Sequence, residues 1–125
     1  MADAFELLIR ASRIISGGHE AGHTIGITDG RIAAVEPLES QTSAARVHEF
    51  GPDVVVLPGL VDSHVHICDP GNSEWEGFAT ATRAAAAGGI TTLVDMPLDS
   101  VPSTVNVAAL QALCTSAREG RPVRL

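Results

Sequence analysis

Between Asp53 and Val61 the chain is an almost unbroken apolar run: Val54, Val55, Val56 and Leu57, then Gly59, Leu60 and Val61. A strand with one wet face alternates polar and apolar residues. A continuous run reads instead as a strand covered on both faces, the situation of parallel sheets flanked by helices. The chain beyond the run keeps that pattern. Residues 74–87 are helical in composition and end in Ala84-Ala85-Ala86-Ala87, with Gly88-Gly89 as the stop. Ile90-Thr91-Thr92-Leu93-Val94-Asp95 reads as a second buried strand. Pro97 and Pro102 bracket a loop. Ser103 or Thr104 is placed to cap a helix running to about Glu119, which Gly120 and Pro122 end. Pro122-Val123-Arg124-Leu125 reads as the start of a third strand. Strand, helix, strand, helix, strand is a parallel βαβαβ run.

The first 55 residues follow a different rule. Phe5-Glu6-Leu7-Leu8-Ile9-Arg10 and Arg13-Ile14-Ile15 read as strand, broken by Gly17-Gly18. His23–Thr28 and Arg31–Val35 flank Asp29-Gly30, a strong hairpin signal because both turn positions want positive φ. Arg46–Phe50 alternates and reads as a further short strand. The expectation is a small antiparallel, β-sandwich-like unit over 1–55, followed by an α/β unit over 56–125. Aromatic residues are only 3%, with no Tyr, so the core must come from Ala, Val, Ile and Leu.

Charge narrows the function classes. The net charge is −7, and the eight basic residues are all scattered arginines. A nucleic-acid surface needs a basic stripe to displace counterions from phosphates, so no nucleic-acid partner is expected. No stretch nears the ~20 apolar residues of a membrane span. The acidic start, Met1 to Glu6, does not read as a secretory signal. Cys68 and Cys114 lie far apart and read as reduced thiols in a cytoplasmic protein.

The residues that could carry chemistry gather after the apolar run. His64 and His66 are two apart, and on a strand such residues share a face. Two imidazoles on one face can chelate one metal ion, and active sites of α/β barrels gather at strand C-termini. A bare His-x-His is also compatible with two unrelated surface histidines. Asp62 shares their face, as an outer partner or a structural carboxylate. Asp95, at the end of the second strand, faces the same mouth or caps local backbone. Cys68 would need a base and an electropositive niche to act as a nucleophile, and a small buried residue is the simpler reading. Trp75 and Phe78 read as packing residues on the first helix, and Arg83 as a helix-surface charge. His19, His23 and His48 are assigned no role.

Pro58-Gly59-Leu60-Val61-Asp62-Ser63-His64-Val65-His66-Ile67 resembles the first barrel strand of the amidohydrolase superfamily, in its cyclic-amide branch. Asp69-Pro70-Gly71, Trp75-Glu76-Gly77-Phe78, the stretch Thr80–Thr92 and Asp95-Met96-Pro97-Leu98 resemble the allantoinases within that branch. The resemblance covers roughly 54–110 well and 5–36 loosely. It implies a TIM (β/α)8 barrel, of which this chain would hold about two βα units. It implies two zinc ions, or similar divalent metals, bridged by a carboxylated Lys, with His64 and His66 on the more buried ion. Activated water would open the hydantoin ring of allantoin to allantoate, and an Asp on the last barrel strand would move the proton. Dihydroorotases carry an Arg and an Asn where this chain has Cys68 and Leu98. A thiol and an apolar side chain cannot hold a carboxylate by charge-assisted hydrogen bonds. Allantoinases often read Met-Pro-Leu-Asn, and this chain departs from that with Asp99.

A TIM barrel takes about 250 residues. The sequence holds no Lys, and the bridging Lys, two later His ligands and the catalytic Asp belong to later strands in that family. The reading is therefore an N-terminal fragment or truncated product of an allantoinase-like hydrolase acting in purine catabolism, inactive alone and homo-oligomeric when complete. The alternatives are a hydantoinase or dihydropyrimidinase fragment and a non-catalytic remnant.

Overall fold

The computed structural model describes residues 5–120, so the strand expected over 122–125 lies outside the described residues. In chain order the elements are β1 (Phe5–Ser16), β2 (His19–Thr28), β3 (Arg31–Pro37), β4 (Ala44–Phe50), β5 (Leu60–Val65), α1 (Phe78–Ala87), β6 (Ile90–Asp95) and α2 (Val107–Glu119). They divide into one unit up to Pro58 and another from Gly59.

The first unit is a single four-stranded sheet in the order β3-β2-β1-β4. The β2–β3 turn uses Asp29 and Gly30 at φ 51° and 68°, the paired left-handed geometry that an Asp-Gly hairpin requires. Its core is thin: Leu8, Ala11, Ile14 and Thr24 are the buried side chains. The antiparallel sheet expected from the sequence needs one correction: β4 pairs with β1 in parallel, Phe5 opposite Ala44 and Ala11 opposite Phe50. The connection between β3 and β4 decides this. The Arg10 guanidinium donates to the carbonyls of Ser40 and Thr42, at 3.3 and 2.9 Å. The Thr24 hydroxyl donates to Leu38 O at 3.1 Å. Hydrogen bonds from the Ser40 and Thr42 hydroxyls hold the Glu36 carboxyl below its usual range. These tethers lay the connection across the sheet, so the chain re-enters at the start of β1 and runs beside it in the same direction.

In the second unit β5 and β6 pair in parallel, Leu60 opposite Ile90 and Val65 opposite Asp95, and α1 packs on β6. Several expectations need correction. The apolar run is not one buried strand: Val56 bridges Ile14 of β1, and β5 begins at Leu60. Leu57, Leu60 and Val61 are 57%, 53% and 63% exposed, and Val94 of β6 is 51% exposed. Apolar sequence records a demand for cover, and among the described residues β5 has only β6 beside it. The first helix starts at Phe78 and not at residue 74. Turns stitched by Asn72 N to Cys68 O and Trp75 N to Asn72 O fill the interval, and the Thr80 hydroxyl accepts the Gly77 N–H at the helix start. Phe78 is buried as expected, but Trp75 precedes the helix and stands 86% exposed. The second helix is capped by Asn106, whose side chain accepts from Ala109 N at 3.0 Å. Ser103 instead donates to Leu98 O within the preceding loop.

Candidate functional site

The parallel pairing of β5 and β6 brings their C-terminal ends together, where Met96 N donates to Val65 O at 2.8 Å. His64, near the end of β5, and His66, just past it, present their side chains to each other. The two Nε2 atoms are 3.0 Å apart and the ring centroids 5.0 Å. A tetrahedral zinc ion with Zn–N of about 2.0–2.1 Å sets two ligand nitrogens about 3.3 Å apart. The pair therefore fits two corners of one coordination shell. Among the described residues no third His, Cys, Asp or Glu joins them to complete a set.

The carboxylates nearby do different things. Asp62 Oδ1 accepts from the backbone N–H of His64 at 3.2 Å. Asp95 Oδ1 accepts from Ile67 N at 3.0 Å, and its Oδ2 is buried without a partner among the described residues. Asp99, from the loop after β6, meets His66: Nδ1 and Oδ2 are 2.8 Å apart.

The model of the amidohydrolase family matches residues 55–119. The chain belongs to the amidohydrolase family. An allantoinase of Streptomyces avermitilis is 52% identical over 107 residues, covering 85% of this chain and 24% of that protein. An allantoinase of Arabidopsis thaliana is 47% identical over 111 residues, covering 89% of this chain and 21% of that protein. The L-hydantoinase (dihydropyrimidinase) of Arthrobacter aurescens superposes with a TM-score of 0.78 at 30% identity, over 90% of this chain and 25% of that one. The chain thus spans about a quarter of the length of the relatives it matches.

In this amidohydrolase an open cleft of about 810 Å³ adjoins the histidine pair, lined by His66, Cys68, Asn72, Trp75 and the carboxylates Glu74 and Asp99. Burial pushes the Cys68 thiol up, and the charges of Asp99, Glu76 and Asp95 push it further. It therefore stays protonated at neutral pH, the state of a structural thiol and not of a nucleophile. Both cysteines are free. Leu98 is 59% exposed and takes no part in the cleft lining. Sequence reasoning gives no cleft role to Asn72, Glu74 or Trp75: residues 74–87 read as helix, with Trp75 as a packing residue, and nothing in the sequence marks Asn72. It noticed Asp99 only as a departure from a pattern.

Asp69 braces the floor of this region. Its Oδ2 accepts from Phe78 N at the start of α1, and its Oδ1 takes the Ser116 hydroxyl of α2. Burial pushes its carboxyl up, and the hydrogen bonds from Ser116, Phe78 N–H and Ser73 outweigh that, leaving it below its ordinary 3.8. A carboxyl depressed on folding adds stability above its unfolded pKa and loses it as pH falls through the folded value. Asp69→Asn is therefore expected to lower the urea midpoint at pH 7 and to flatten its fall below about pH 4. An acid limb as steep as the parent's would assign that loss to other carboxyls. Among the described residues no helix is long and apolar enough to cross a membrane.

Proposed function

We propose that this amidohydrolase segment contributes His64 and His66 to a metal centre, zinc or a similar divalent ion, of an allantoinase-like cyclic-amide hydrolase that opens allantoin to allantoate. The observation that carries the reading is the convergence of two imidazole Nε2 atoms at 3.0 Å, at the C-terminal end of paired parallel strands. Active sites of α/β barrels lie at that end. In this reading residues 1–55 form the β unit ahead of the barrel. From residue 56, β5-α1-β6-α2 forms its first two βα units. A bound divalent ion would polarise a carbonyl and lower the pKa of water. The chain's own residues hold that ion through His64 and His66 and shape the cleft beside it. Glu74 and Asp99 line that cleft, with no guanidinium among its lining residues. Carboxylates repel an anionic substrate and accept hydrogen bonds from a neutral ring's N–H groups, which favours a hydantoin over dihydroorotate. The setting we propose is cytoplasmic purine catabolism, with a homo-oligomeric complete enzyme.

The test is a chimera in which residues 1–119 replace the matching stretch of the Streptomyces avermitilis allantoinase. It is expected to hydrolyse allantoin, to lose activity on chelation and to regain it with zinc. The isolated 125-residue chain is expected to show no turnover. A chimera preferring dihydrouracil over allantoin would move the assignment to the dihydropyrimidinases. A folded chimera inactive on both would sink it.

A further inference from the structure

The contact between His66 and Asp99 joins residues 33 apart in sequence, and both side chains are substantially exposed, at 43% and 55%. An exposed pair of this kind adds little to stability. Yet the loop that carries Asp99 is heavily braced. Ser100 is 1% exposed, and its hydroxyl lies 3.3 Å from the carbonyls of both Pro97 and Pro102. Thr104 N donates to Pro97 O at 3.1 Å, and the Ser103 hydroxyl donates to Leu98 O at 2.9 Å. From the other side of the cleft, the Asn72 amide donates to Asp99 O at 3.1 Å. Such bracing fixes where the Asp99 carboxylate stands, beside one particular ring nitrogen.

A carboxylate only accepts, so the 2.8 Å contact places the hydrogen on His66 Nδ1. In the neutral ring that leaves Nε2 of His66 as a lone pair facing His64. The 3.0 Å Nε2–Nε2 contact is then a hydrogen bond donated by His64. His64 Nδ1 has no partner among the described residues. The two rings are therefore unequal: one is preset for an ion and the other is not.

We propose that Asp99 is the positioning residue of His66, holding its Nδ1–H tautomer and orienting its Nε2 toward a divalent cation shared with His64. The cation part rests on the reading of the histidine pair as metal ligands. The tautomer part rests on the contact alone.

Long-range 1H–15N correlation spectra of the 15N-labelled protein near pH 8.5, above the ordinary imidazole value of about 6.5, with zinc chloride titrated in, test both parts. In the parent, His66 is expected to be Nδ1–H before and after zinc, while His64 changes from Nε2–H to Nδ1–H on binding. In Asp99→Ala, His66 is expected to populate both tautomers and zinc to bind about 10–100-fold more weakly. In Asp99→Asn, the amide oxygen still accepts from Nδ1–H, so the tautomer is retained and less affinity is lost. Urea midpoints of the three proteins are expected to agree, which a merely structural role would not allow. Retention of the Nδ1–H tautomer in Asp99→Ala, or zinc affinity within about two-fold of the parent's, overturns the assignment. If neither the parent nor the chimera described above binds zinc but the His66 tautomer depends on Asp99, the metal reading falls and the positioning role stands.

Discussion

Exchanging either His64 or His66 for alanine is expected to cost more in zinc affinity than the about 10–100-fold typical of an outer partner, and nearly as much as removing both. The reason is geometric. Two nitrogens 3.0 Å apart are spaced to act as one chelating unit, as proposed above, and a single imidazole left behind would be a monodentate ligand with nothing to hold the ion in register. The two single losses should therefore fail to add, as coupled groups in contact do. The fold should be indifferent, because both rings are exposed and neither packs in the core. Zinc titration calorimetry of the two single variants and the double variant, with circular dichroism on each, measures both halves of this expectation. In the chimera the same exchanges should abolish allantoin hydrolysis. Single variants that keep zinc affinity within a few-fold of the parent's would mean that the pair is not a chelate.

That pair was legible because strand alternation is local: residues 64 and 66 share a face wherever the strand goes. The Asp29-Gly30 turn was legible for the same kind of reason, since its positive φ angles depend on those two residues alone. The direction of β4 was not. Nothing in Arg46–Phe50 says whether it runs with or against β1; the tethers from Arg10 and Thr24 to the connection decide it. Ser103, Thr104 and Asn106 are all residue types that cap helices, and only the loop's own hydrogen bonds show that Ser103 is engaged elsewhere and that Asn106 is the cap. Asp99 carried no local signal either. Its role depends on two loops meeting, and loop meetings are tertiary facts. Leu60 and Val61 teach the converse lesson: their apolarity was read correctly, and their burial was not, because burial belongs to neighbours as much as to the residue.

The meeting of those two loops hangs on Gly71, and Gly71→Ala is expected to destabilise the second unit by about 2–4 kcal/mol. Two costs combine. Gly71 sits at φ 108°, a conformation that an L side chain adopts only under strain. A Cβ there would also lie 2.5 Å from Val101 Cβ, 2.9 Å from Val101 O and 3.0 Å from Val101 Cα. Part of that obstruction is backbone, so rotating a side chain does not relieve it. The same Val101 donates its N–H to Pro70 O at 2.7 Å, so the loops cannot part without losing that bond. Gly89 is the internal control. Its φ is 76°, but a Cβ there meets nothing within 4 Å, so Gly89→Ala should cost only the backbone term, about 1–2 kcal/mol. Urea denaturation of the two variants separates strain from collision, and equal costs would show that Val101 gives way freely. If the collision is real, its consequence reaches the site. Moving residues 69–72 away from 98–103 breaks the Asn72 to Asp99 hydrogen bond and with it one of the braces that hold the carboxylate beside His66. Gly71→Ala protein that remains folded should then show mixed His66 tautomers, as expected of Asp99→Ala, although Gly71 has no side chain to engage either histidine.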